Sequence, residues 1–86
     1  MIKIIEFPIE ELDNFHKTIG LNVKRLRKEN NITQMQLALS IGHNSVGHIA
    51  KAELFKYGKH FNLDQLYKIS KILNVSIHSL IPSSTD

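Results

Sequence analysis

No cysteine occurs in the 86 residues of the chain, and this constrains its fold more than any other single feature. Small domains bury a modest share of their surface, and many are stapled by disulfides or by a thiolate-bound metal. Here neither staple exists, so an apolar core has to carry the fold. Disulfide frameworks, thiolate zinc sites and cysteine nucleophiles are excluded. The residues for a core are present: 42% are hydrophobic and 22% charged, a globular balance rather than a disordered or collagen-like one. The length suits one domain. No apolar run approaches the ~18–20 residues that span a bilayer. No basic start followed by a long apolar stretch marks a secretory signal, so the expected location is cytoplasmic.

Periodicity indicates what builds that core. Leu12, Phe15, Ile19, Val23 and Leu26 follow one another at helical steps of three and four, which predicts one amphipathic stripe. Gly20 lies off the stripe, and the segment reads either as one long helix or as two. Ahead of it, Ile2 and Ile4 share one face of a short N-terminal strand, and Pro8 suits a first helical turn. Glu10, Glu11 and Asp13 are helix-start chemistry rather than a catalytic pair. Asn30-Asn31 stops the helix. Thr33 to Gln36 forms a capping box for a second helix, with Leu37, Ala38 and Ile41 inward and Gly42 left-handed at its end. His43-Asn44-Ser45 is a polar turn in which Asn44 or Ser45 caps a third helix carrying Val46, Ile49, Ala50 and Glu53. A loop over 54–61 holds Gly58, Phe55, Tyr57 and Phe61. Asn62 to Gln65 opens a fourth helix with Leu63, Leu66, Ile69, Ile72 and Leu73 inward. Asn74 ends it, and Ser76 caps a short fifth helix with Ile77, Leu80 and Ile81. The expected organisation is an all-α, five-helix domain over 18–81. An arm and lead-in helix (1–17) precede it and a frayed tail (82–86) follows.

Charge is distributed unevenly along this plan. Residues 1–16 carry a net −3, residues 17–60 a net +6, and residues 61–86 none, for a total of +3. A basic middle is the electrostatic footprint of a nucleic-acid binder, and it also fits a solvated lysine-rich face. The same stretch holds two short helices joined by a glycine turn, the core of a helix-turn-helix. Ala38 is small where the helices touch, Gly42 reverses the chain, and Leu37 and Ile49 anchor both helices. A second helix held in this way can enter a major groove about 12 Å wide.

With those residues in place, the sequence resembles the Cro/phage-repressor (XRE-type) helix-turn-helix family. The matching elements are Ile19-Gly20, Val23 to Arg27, Ile32-Thr33-Gln34, Leu37-Ala38, Gly42, Ile49 and Glu53. Leu66, Ile69, Leu73 to Ser76 and Leu80 continue the match. The resemblance implies a five-helix lambda-repressor-like fold. It also implies that Gln34 contacts backbone phosphate, with Thr33 capping beside it and donating to the same phosphate. The base-facing surface would be Asn44, Ser45, Val46, Gly47, His48 and Lys51, with His43, Lys56 and Lys59 adding DNA contacts. Arg27 and Glu53 would form a buried structural ion pair. Three departures bear on the reading surface. Gly42 to Glu53 is one residue longer than the family spacing, so the register of the third helix is open by one. Val46 and Gly47 stand where long polar readers are usual. Leu54-Phe55 replaces the glycine that usually follows the glutamate, leaving Gly58 to serve later.

Other constellations have blander readings. His43 and His48 are five apart, off the spacing that puts two ligands on one helical face, and together with His60 they read as surface or phosphate-contacting histidines rather than a metal site. Phe55, Tyr57 and Phe61 read as anchors of their loop rather than a base-stacking platform. No serine has a histidine–acid partner, and no glycine-rich phosphate loop occurs, so neither catalysis nor a cofactor is expected. The expected function is a sequence-specific, double-stranded DNA-binding transcriptional regulator that dimerises on two half-sites. The dimer surface is either the Ile2–Phe7 segment or the Leu80-Ile81 region. The rival readings are an antitoxin or other protein-interaction module, whose partner would be a toxin, and a restriction–modification controller. No membrane partner is expected.

Overall fold

The computed structural model describes residues 5–42 and 46–83. Helix α1 spans Ile9–Glu29, α2 Gln34–Ser40, α3 Val46–Leu54 and α4 Leu63–Ile72, with single 3-10 turns at Lys56–Gly58 and Ile77–Ser79. The fold is all-α, and the described residues contain no strand. Residues 1–4, which hold Ile2 and Ile4 of the expected N-terminal strand, lie outside the described residues. Residues 5–8 are irregular. The expected fifth helix is reduced to the turn at Ile77–Ser79. Pro82 follows closely and disfavours helical backbone at its predecessor, while buried Leu80 pins the turn to the core. No described helix is long and apolar enough to cross a membrane.

The helix ends follow local chemistry. Thr33 Oγ1 accepts from the Gln36 backbone N–H at 3.0 Å, and Gln36 Oε1 accepts from the Thr33 N–H at 2.8 Å. Asn62 and Gln65 repeat the exchange at 2.7 and 2.9 Å. Each box satisfies two N–H groups that a helix start would otherwise leave without partners. Asn31 and Asn74 follow α1 and α4 with φ of 56° and 54°, the left-handed conformation that asparagine tolerates.

Helix α1 is continuous through Gly20, so the glycine is not a break. A Cβ there would lie 2.5 Å from the Glu53 carbonyl oxygen and 2.6 Å from that of Ala52. The missing side chain lets α1 and α3 approach backbone to backbone. Around that crossing the core gathers Ile19, Val23, Leu37, Ile49, Ile69 and Leu80. Two expectations of burial fail. Leu63 and Ile72 are exposed, because at about 100° per residue they fall to either side of the Leu66, Ile69, Leu73 stripe. Leu12 and Phe15 are 51% and 42% exposed, because the first turns of α1 extend past the core. The molecule is accordingly long, 48 × 26 × 19 Å.

Candidate nucleic-acid interface

The helix-turn-helix is built from α2, α3 and the turn between them. Leu37 and Ala38 of α2 and Ile49 and Ala52 of α3 are buried together in the core, and Gly42 takes φ 78° at the end of α2. A polar clamp locks this pair to α1. Arg27 Nε donates to Glu53 Oε2 at 2.7 Å and Nη2 donates to Oε1 at 3.1 Å. Arg27 Nη1 donates to the Ile32 carbonyl at 2.8 Å. Gln34 Nε2 donates to Glu53 Oε1 at 3.0 Å. Glu53 is fully buried, so its carboxylate oxygens rely on these donors in place of water. One residue from each of three helices thus fixes the angle at which α3 is presented.

What α3 presents follows from its period. Val46, Gly47, Lys51 and Leu54 are exposed, and Ala50 is half-buried between them. His48 turns the other way. It is half-buried, edge-on to Phe61 at 6.4 Å between ring centroids, with Nε2 3.4 Å from the Gln65 amide nitrogen. Of the residues grouped with the reading surface, the structure therefore brings Val46, Gly47 and Lys51 to one outward face and sets His48 against α4. His43, Asn44 and Ser45 lie outside the described residues, as does any place in that turn where the extra residue is absorbed. Gln34 is half-buried and one of its amide hydrogens is used by Glu53. Thr33 is exposed, its oxygen engaged in the cap.

The loop after α3 continues the basic surface. Lys56 and Lys59 are exposed. Tyr57 stands between the basic groups, with the Lys51 ammonium 5.9 Å and the Lys56 ammonium 5.4 Å from its ring centroid. It is 78% exposed. Of the three loop aromatics, Phe61 is the core anchor, Phe55 is half-buried and Tyr57 lies outside the core. The backbone departs from expectation as well. Left-handed φ falls not on Gly58 alone (71°) but also on Phe55 (52°) and Tyr57 (56°). Tyr57 was legible only as part of a Lys-Tyr-Gly-Lys stretch, basic residues around an aromatic. On α1, Arg25 lies 3.7 Å from Glu29 in an exposed pair, which leaves Lys17, Lys24 and Lys28 as its less compensated cations.

Sequence reasoning also missed a histidine contact behind the loop. The His16 and His60 rings stack at 3.9 Å and 21°, and Phe55 lies parallel to His16 at 5.9 Å. His16 Nδ1 is buried without a hydrogen-bond partner among the described residues. Burial and, secondarily, His60 hold the His16 pKa below its ordinary 6.5, against an opposing pull from Asp13. Among the described residues no three His, Asp or Glu side chains are grouped to hold a metal ion.

Compared with known proteins, residues 23–80 match a family described as helix-turn-helix, a span reaching from the second half of α1 to Leu80. No curated protein and no solved structure matches the chain.

Proposed function

The chain belongs to the XRE/Cro-type helix-turn-helix family, and from that premise we propose that it is a transcriptional regulator reading double-stranded DNA through the outward face of α3. One observation carries the reading. The α2–α3 pair is clamped to α1 through Glu53, and the only acid between Val46 and Asn62 is that buried residue. Every exposed charge on α3 and its following loop is therefore cationic: Lys51, Lys56 and Lys59. Phosphates are captured by these lysines, and α3 enters the major groove. With Val46, Gly47, Ala50 and Leu54 around Lys51, direct reading by the described residues of α3 rests on Lys51 and on apolar contact with thymine methyls, beside Asn44 and Ser45 at the start of the reading surface.

One helix covers few base pairs, so specificity calls for a homodimer on half-sites one turn apart. Ile5 and Phe7 are exposed ahead of α1 and favour the N-terminal segment as the contact. A chain starting at Ile9 should then be monomeric; if it still dimerises, that part of the proposal fails. The main experiment is selection of bound duplexes from random DNA at physiological salt. Enrichment of paired half-sites supports the reading, and a pool that stays random refutes it. Lys51→Glu should abolish binding with the helical circular dichroism intact. The second reading, a protein-interaction module such as an antitoxin, is favoured by exposed Met35 and Leu39 on α2. Its mark is co-purification with the product of a neighbouring gene.

A further inference from the structure

We propose that Tyr57 is a positioning residue for DNA phosphate, its ring gathering the Lys51 and Lys56 ammonium groups into one paired cationic site. The inference rests on the DNA-binding reading above and adds a residue and a mechanism to it.

Three observations converge. Tyr57 is 78% exposed, so the hydrophobic effect does not account for an aromatic ring there. Its backbone is left-handed at φ 56°, a conformation unfavourable for a bulky residue and natural for glycine. Strain of this kind persists where the surroundings hold it and gathers at functional sites. Finally, two lysines from different segments converge on the ring. Lys51 comes from the outward face of α3 and Lys56 from the following 3-10 turn, at 5.9 and 5.4 Å. Two ammonium groups repel each other. The negative face of the ring offsets that repulsion and holds flexible side chains in place before a ligand arrives. A phosphodiester oxygen is a fitting ligand, since it neutralises the pair and releases bound counterions. Lys51 is thereby joined to the backbone-gripping surface as well as to the groove.

The test compares Tyr57→Gly and Tyr57→Phe with wild type, using a fluorescein-labelled mixed-sequence duplex of about 24 base pairs across a salt series. Glycine relieves the backbone and removes the ring. Its Tm should equal or exceed wild type, while affinity falls about fivefold to tenfold. The salt slope should become shallower by about one phosphate contact. Phenylalanine keeps the ring and should bind within about twofold of wild type. If Tyr57→Gly binds as wild type does, the proposal is overturned and the DNA-binding reading stands. A lowered Tm alongside weaker binding overturns it by assigning Tyr57 to the fold. A loss with phenylalanine equal to that with glycine overturns the role of the ring. If wild type binds neither this duplex at low salt nor any sequence selected from random DNA, the DNA-binding reading falls and takes this inference with it.

Discussion

From Ile19 to Arg27 the stripe of α1 is packed against α3 and the rest of the core, whereas from Ile9 to Phe15 the same stripe is 42–69% exposed. Both halves carry the helical period, so the period does not explain the difference. Gly20 does part of that: without a Cβ it admits the last carbonyls of α3, and the helices cross there. Beyond the crossing α3 has ended, and α1 meets the His16–His60 stack and then only the C-terminal segment among the described residues, where Pro82 and Ser83 line a shallow pocket with Glu11 and Phe15. Amphipathicity states which face a helix would bury. Whether it is buried depends on how far the neighbouring element reaches.

Breaking the packed half should have the largest effect. Glu53→Ala strands Arg27 inside the protein and should cost about 3–5 kcal/mol in urea unfolding. A loss comparable to a surface substitution would show that the clamp does not hold the two helices. Gly20→Ala comes next. It drives a methyl into two backbone carbonyls and should cost about 1–3 kcal/mol. Its exposed neighbour changed in the control Leu21→Ala should stay within about 0.5 kcal/mol, so equal effects would remove the close crossing as the cause.

At the boundary between the halves, pH is the lever. Because the folded-state pKa of His16 is lowered below 6.5, the unfolded chain binds more protons just below that value. This contribution to stability is present above about pH 6.5 and declines as pH falls toward the lowered folded pKa. Urea midpoints measured from about pH 7.5 to about pH 5.5 should fall, and His16→Phe should flatten that decline. A small effect on unfolding belongs to the less covered half. Phe15→Ala should cost less than about 1 kcal/mol. Sedimentation equilibrium should nonetheless shift toward monomer if a second copy covers this stripe, and an unchanged profile would place the cover elsewhere.

Much of the fold was legible because it rests on contacts within one turn. The two capping boxes and the asparagine stops at Asn31 and Asn74 involve residues three or four apart, and residue type alone identifies them. The candidate site was legible unevenly. Lys51 and Lys56 declared themselves by charge. His48 did not reveal that it turns toward α4, because that depends on Phe61 and Gln65 arriving from another segment. Tyr57 read as a loop anchor because a tyrosine among aromatics usually is one. Its exposure comes from a backbone that takes left-handed φ at Phe55 and again at Tyr57, where the nearby glycine was the natural expectation.

The sequence by itself determined that the chain is helical, where most helices start and stop, and which family it resembles, since local hydrogen bonds and periodicity decide these matters. Only the tertiary structure decided that Gly20 is a crossing point rather than a break. It alone decided that the apolar stripe of α1 outruns its cover, and that Tyr57 sits between two lysines. Each of those outcomes depends on side chains and carbonyls that meet only when separate segments of the chain are packed together.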